Sequence, residues 1–396
     1  MTATKPRMTV PLLDLKPQYQ ALKTELDEAM LKVAASQMFI LGPAVRELEK
    51  KIAAYCGARH GIGLSSGTDA LLIALMAYDL GPGDEVITSP YTFFATGGTI
   101  ARTGARPVFL DIDPETYNLR VDLVRDFLAR DCERRASGFY NRRTGGRIRA
   151  LMPVHLYGQS ADLDPLLMIA RECGLPLIED AAQAIGAEYP PKRRIGGIGD
   201  IGCLSFFPTK NLGAFGDAGM CVTSDDALAA KLRMLRVHGM EPKYYHALIG
   251  GNFRIDEIQA AVLLVKFRHL ENWHAGRQQN AAYYDRAFRA AGMTARVVTP
   301  TARPGYRHIY NQYVIRVPDR DRLRAYLAEC GVGTEVYYPV PLHMQQCFAY
   351  LGYRPEDCPE SARAARETLA LPIYPELREE QLQYVVDCIT AFQAGA

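Results

Sequence analysis

Several marks of function are missing from this sequence, and each absence narrows what the protein does. No C-x-x-C pair occurs: nine cysteines (Cys56, Cys132, Cys173, Cys203, Cys221, Cys330, Cys347, Cys358 and Cys388) are scattered over 396 residues. An odd, dispersed set in so long a chain reads as reduced thiols, and the expected location is the cytoplasm. The eight histidines show no H-x-x-x-H spacing and no His/Cys cluster, so no metal site is expected. An excess of one charge is missing too. With 46 basic and 44 acidic residues the net charge is +2, which gives no electrostatic case for nucleic acid or an anionic membrane. No apolar run reaches the length of a membrane span, and "MTATKPRMTVPLLDLKPQYQ" holds no apolar signal core. Repeats and low-complexity tracts are absent.

What is present is an alternation. "GTDALLIALMAYDL" has helical periodicity and stops at Gly81-Pro82-Gly83. "DEVITSP", "ARPVFLDID", "IRALMPVHLYG" and "LPLIED" read as strands, with helices in "TFFATGGTIARTG" and "DLDPLLMIARECG" between them. "DIGCLSFFP" and "GMCVTS" add strands on either side of Lys210. This order predicts an α/β fold with a mainly parallel sheet flanked by helices. Ligands of such sheets bind at the carboxyl ends of strands. Near residues 250–280 one or two long helices are expected, after which the pattern shifts to a smaller C-terminal α+β domain. The division placed on the sequence is a large domain over 1–265 and a small one over 266–396. The arginine-rich stretch 128–150, "LARDCERRASGFYNRRTGGRIRA", has no apolar stripe and reads as an exposed surface loop.

Four short features stand out, three of them at predicted strand ends and one at a predicted helix start. Lys210 lies in "LSFFPTKNLGAFGDAGM", between aromatics and a cluster of glycines. Apolar surroundings penalise an ammonium and so make an amine nucleophile, while glycines allow a ligand close to the backbone. An exposed loop lysine is the alternative. Asp180 ends the apolar run of "LPLIEDAAQAIGA", where a carboxylate can pair with a protonated ring nitrogen or cap a following helix. Gln183 is either half of a capping box or a donor to a ring hydroxyl. "LSSGTDALLIAL" brings Gly67 and Thr68 to a helix N-terminus, an anion site or a plain cap, and this start is neither a Walker loop nor a dinucleotide fingerprint. "SPYTFFATGG" offers Thr92, Phe93 and Phe94, where an aromatic stacks on a planar ligand or fills the core. Together, a phosphate cradle, a stacking ring, a strand-end aspartate and a framed lysine are the parts needed to hold pyridoxal 5′-phosphate (PLP).

The chain resembles the DegT–StrS family of PLP-dependent nucleotide-sugar aminotransferases, which have the aspartate aminotransferase-like type I fold. The resemblance runs through "PLLDLKPQY", "MFILGPAVRELE", "SSGTDALLIAL", "PYTFFAT", "PVHLYGQSADL", "EDAAQAIGA", "GDIGCLSFFPTKNLGAFGDAG", "GGNFRIDEIQAA" and "YYPVPLH". It implies a seven-stranded type of sheet, with Lys210 as the Schiff-base lysine and Asp180 as the partner of the pyridine nitrogen. Gln183 would contact the ring hydroxyl, Phe93 would stack, and Gly67, Thr68 and Ser205 would bind the phosphate. It further implies a homodimer with shared sites, in which Asn252 and Arg254 reach the neighbour's phosphate or substrate. The substrates implied are a nucleotide-linked keto hexose and L-glutamate. "GTEVYYPVPLHMQ" is similar to 3-keto members, with 4-keto members the alternative. His308, Tyr310, Tyr337, Tyr338 and His343 are the substrate-side candidates, each with ordinary packing as its alternative. Dehydrating relatives carry histidine in place of the lysine, and iron–sulfur relatives need a cysteine cluster; this chain has neither. A regulatory protein built on the same fold would be expected to lose the lysine or the aspartate, and both are present.

Overall fold

Apolar runs between residues 60 and 223 become strands because helices cover both faces of the sheet they build. The computed structural model describes residues 8–395; residues 1–7, where the segment read for a signal begins, and Ala396 lie outside the described residues. The strands are β1 (His60–Leu64), β2 (Asp84–Thr88), β3 (Arg106–Phe109), β4 (Cys132–Arg135), β5 (Gly138–Asn141), β6 (Arg147–Leu151) and β7 (Ile178–Asp180). They continue with β8 (Glu188–Tyr189), β9 (Arg193–Arg194), β10 (Ile201–Ser205), β11 (Gly219–Thr223), β12 (Tyr313–Arg316) and β13 (Thr368–Leu371). The α-helices are α1 (Lys16–Ser36), α2 (Pro43–Cys56), α3 (Gly67–Ala77), α4 (Phe94–Arg102), α5 (Val121–Asp126) and α6 (Leu163–Cys173). After them come α7 (Asp226–Leu235), α8 (Glu257–Phe267), α9 (Leu270–Ala290), α10 (Arg320–Glu329), α11 (Pro359–Glu367) and α12 (Glu379–Ala394).

The main sheet has the order β1-β11-β10-β7-β6-β2-β3, with β7 joined to β6 by the parallel bridges Leu151–Leu177 and Val154–Asp180. Only β11 runs against the others, pairing antiparallel with β1 and β10. The mainly parallel α/β sheet expected from the sequence is therefore what forms. One face packs on α3, α4 and α7 through Leu71, Ile100 and Leu232; the other packs on α2, α6 and α8 through Leu48, Leu166 and Leu263. Because β1, β2, β7 and β10 share a direction, their carboxyl ends bring the segments after Leu64, Thr88, Asp180 and Ser205 to one edge. A second core cluster joins α9, α10 and α12 to β12 and β13 around Tyr284, Tyr313, Leu323, Leu371 and Ile389, and takes in Val10. Among the described residues no helix is long and apolar enough to cross a membrane.

The stretch 128–150 corrects the loop expectation. It forms an antiparallel hairpin, β4 and β5, which continues onto β6 through Phe139–Ile148 and Tyr140–Arg147. The hairpin is exposed but ordered by Arg–aromatic pairs, with Arg134 5.8 Å from the Phe139 ring and Arg135 4.5 Å from that of Tyr140. Its base is fixed by buried Glu85 of β2, which accepts from Asn141 Nδ2 at 2.8 Å and Thr144 Oγ1 at 2.6 Å. Glu85→Ala leaves both donors unpaired, and the expected result is a loss of about 1–3 kcal/mol in urea unfolding.

Candidate active site

Asp180 closes β7 and is held there through its backbone, its N–H donating to Pro153 O and its carbonyl accepting from His155 N. Residues 181–187 are turns, not a helix. The capping alternatives for Asp180 and Gln183 are therefore removed. Asp180 is 4% exposed; its Oδ2 accepts from Thr96 Oγ1 at 2.7 Å and its Oδ1 from Ala182 N at 3.3 Å. Burial raises its pKa above the ordinary carboxylate value, against the pull of those hydrogen bonds and of the Lys210 charge. Behind it, Glu179 takes the amides of Gly196, Ile198 and Gly199 at 2.8, 2.8 and 2.6 Å. His155 Nδ1 accepts from Ala161 N, so Nε2 carries the proton and donates to Glu179 at 3.0 Å. Burial pushes the Glu179 carboxyl up, but these donors outweigh it and hold it below the usual range.

Lys210 lies in the loop after β10. The loop closes through Lys210 N to Phe207 O and Ala214 N to Phe206 O, each 2.8 Å. Gly213 is required here, since a β-carbon would collide with the Pro208 carbonyl oxygen. Lys210 is half-buried as a residue, while its amine is desolvated and makes no hydrogen bond or ion pair among the described residues. Burial lowers its pKa from 10.5 to about 8, with the negative charge of Asp180 opposing the shift.

At the start of α3, Ser66 caps the helix by accepting from Asp69 N at 3.0 Å, and Ser65 Oγ donates to Asp69 Oδ2 at 2.6 Å. The two serines are thus engaged, while the N–H groups of Gly67 and Thr68 have no acceptor among the described residues. Ser205 lies directly against this turn: a β-carbon on Gly67 would stand 2.6 Å from Ser205 Cβ. Phe93 precedes α4 and is 56% exposed, its ring centroid 6.1 Å from that of Tyr338. Gln183 Oε1 accepts from Tyr157 N at 2.7 Å, which fixes the amide so that Nε2 donates to Tyr338 Oη at 3.0 Å. The site thus brings together Gly67, Thr68, Ser205, Phe93, Asp180, Gln183, Lys210 and Tyr338.

The remaining candidates are spread more widely. Arg254 bridges Leu64 at the end of β1, and its Nε is buried without a hydrogen-bond partner among the described residues; Asn252 is exposed beside Val237. The Tyr337 carbonyl accepts from the hydroxyls of Tyr91 and Tyr157. His308 and Tyr310 stack on one another, with centroids 4.0 Å apart, and Tyr310 belongs to the second core cluster. Burial lowers the His308 pKa to about 3. His343 is buried near Tyr353, with both ring nitrogens lacking a hydrogen-bond partner among the described residues. No hydrogen bond among the described residues joins His308, Tyr310 or His343 to Asp180, Gln183 or Lys210. Thr96 and Tyr157, which do reach the site, were not singled out from the sequence. The spacing Thr92-x-x-x-Thr96 was the available signal, since the two hydroxyls sit 2.9 Å apart and lead to Asp180.

Residues 20–390 match the model of the DegT/DnrJ/EryC1/StrS aminotransferase family. The chain belongs to that family. A Geobacillus stearothermophilus relative named "Pleiotropic regulatory protein" is 51% identical, over 97% of this chain and 99% of its own. The UDP-N-acetyl-3-dehydro-alpha-D-glucosamine 3-aminotransferase of Acidithiobacillus ferrooxidans is 40% identical, over 96% and 97%. The crystal structure of S. venezuelae DesV with a ketimine intermediate superposes with a TM-score of 0.89 at 38% identity, covering 98% of this chain and 99% of that one. The DegT/DnrJ/EryC1/StrS chain is accordingly a PLP-dependent aminotransferase. Its residues fit that cofactor: among the described residues there are a desolvated amine with no hydrogen-bond partner, two N–H groups without acceptors at a helix start, and a buried carboxyl accepting from two donors.

Proposed function

We propose that this protein transfers the amino group of L-glutamate to the 3-keto group of a nucleoside-diphosphate-linked hexose. The observation that carries the chemistry is the desolvated Lys210 amine beside buried Asp180 at the strand ends. Lys210 would hold PLP covalently and afterwards carry the proton between substrate and cofactor carbons. Asp180 would keep the ring nitrogen protonated, fixed in place by Thr96. Gln183, oriented by Tyr157 N–H, would reach the ring hydroxyl, and Phe93 would cover the ring. The free N–H groups of Gly67 and Thr68, with Ser205, would take the phosphate. PLP supplies an electron sink for the carbon that carries the nitrogen. Tyr338 is the substrate-side residue best supported, because its hydroxyl accepts from Gln183 and retains its own proton to donate.

The sugar assignment draws on the Acidithiobacillus relative and on the run "GTEVYYPVPLHMQ". A homodimer is supported by apolar side chains left in solvent, among them Met38, Ile40, Phe207, Phe215, Tyr244 and Ile249, the last 92% exposed. Asn252 and Arg254 would then serve the neighbouring site. We place a large unit over 1–265 and a small one over 266–396, whose outermost residues lie outside the described ones; the two core groupings follow this division except that Val10 joins the second and Leu270 and Ile309 the first. Nine free thiols suit the cytoplasm. The expected result with the pyridoxamine-loaded protein is faster single-turnover of 3-keto than of 4-keto nucleotide sugars. Equal or faster turnover of the 4-keto set overturns the assignment, and glutamate failing to regenerate the pyridoxamine form overturns the donor.

A further inference from the structure

Lys266, on α8, is 3% exposed and has no carboxylate partner among the described residues. A buried ammonium without a counter-ion is costly, and an apolar side chain would fill the same space at lower free energy. Among the described residues its side-chain amine makes one hydrogen bond, to the Gly213 carbonyl at 2.6 Å, three residues beyond Lys210. The ammonium also lies 5.2 Å from the centroid of the Phe215 ring. Seven residues earlier on the same helix face, Gln259 grips Phe215 from both sides. Its Oε1 accepts from Phe215 N at 2.8 Å and its Nε2 donates to Phe215 O at 3.3 Å. Between these two holds, Ala214 N returns to Phe206 O at the base of the loop. Helix α8 is itself seated on α2, where Glu257 accepts from Ala44 N at 2.5 Å and Val45 N at 3.1 Å.

We propose that Lys266 and Gln259 are positioning residues, which clamp the Gly213–Phe215 backbone to α8 and so fix where Lys210 presents its amine. The proposal rests on Lys210 being the cofactor lysine. Burial lowers the Lys266 pKa to about 8, but a neutral amine still donates, so the clamp holds on either side of that pH. A reacting group must be held to within a fraction of an ångström, so loosening the loop misplaces the amine without removing it.

The test uses PLP-loaded full-length protein and the variants Lys266→Met, Gln259→Ala, Lys266→Arg and Lys210→Ala. Lys266→Met and Gln259→Ala are each expected to release PLP about tenfold faster, followed by loss of absorbance on dilution. Their kcat is expected to fall about tenfold, with KM for the keto sugar within about twofold of wild type. Lys266→Arg, which keeps a long donor, recovers most of the retention; an equal loss in Lys266→Arg assigns the effect to packing and overturns the proposal. A lowered melting temperature with wild-type retention and kcat in both single variants overturns it as well. If Lys266→Met does not fold, Gln259→Ala decides alone. Lys210→Ala separates the two levels. A borohydride-stable PLP adduct persisting in Lys210→Ala defeats the lysine assignment and the clamp with it. Loss of that adduct, beside unchanged Lys266→Met and Gln259→Ala, overturns the clamp only.

Discussion

Lys210→Ala is expected to abolish transamination, lowering kcat/KM by at least about a thousandfold, and to leave no PLP that borohydride can fix to the chain. The magnitude follows from the two tasks proposed for one amine: it would hold the cofactor, and it would move the proton in the transfer. The same variant has a second, independent readout in the cofactor-free protein. Burial lowers the Lys210 pKa from 10.5 to about 8. Below pH 8 folded and unfolded chains both hold this proton, and the cost of burying the charged form is fully present. Between pH 8 and 10.5 the folded chain has released a proton that the unfolded chain keeps, so stability rises with pH through that window. Cofactor-free wild type should therefore gain stability relative to cofactor-free Lys210→Ala as pH passes from 8 toward 10.5. Parallel curves for the two proteins would show that the amine is not desolvated.

Where the side chain itself announces the structure, the sequence was readable. The run that ends at Asp180 is almost wholly apolar, so a strand buried on both faces with a carboxylate at its tip could be anticipated, as could the loop lysine among aromatics. Whether Asp180 capped a helix could not be anticipated locally, because Asp followed by small residues suits a cap and a tight turn equally well. The β4–β5 hairpin was hidden for a different reason. Cys132–Arg135 has no apolar alternation, and its order comes from Arg–aromatic pairs across the strands and from Glu85, a residue 56 positions before Asn141. The orientation of Gln183 was equally out of reach, since a backbone N–H 26 positions away sets it. Lys266 reads as one more basic residue near a helix end, and its contact with Gly213 spans 53 positions. Local pattern gave elements and strand ends; pairings across long separations gave the geometry of the site.

Asp180→Asn is expected to leave PLP bound and fixed to Lys210 but to slow transamination by about 10²–10⁴-fold. The substitution keeps the shape and removes the charge, so its effect turns on which atom faces the ring. Thr96 Oγ1 donates to Oδ2 and Ala182 N donates to Oδ1 in the wild type, so both carboxylate oxygens serve as acceptors before the ring is considered. In asparagine one of those positions becomes an NH₂. If the amide oxygen keeps the Thr96 hydroxyl, the NH₂ faces the Ala182 amide or the ring nitrogen, and a donor then stands where an acceptor is needed. If the amide is reversed, the NH₂ faces Thr96, which must turn its proton away from residue 180, and the pairing with Thr92 can persist with its direction reversed. Neither arrangement offers a negative charge to a protonated ring nitrogen, so the residue at 180 would no longer favour the protonated ring on which the electron sink depends. The measurement is single-turnover conversion with glutamate, alongside the absorbance of the PLP-loaded variant. A rate within about threefold of wild type would remove Asp180 from the ring nitrogen, while loss of PLP binding altogether would reassign it to holding the fold of the strand end.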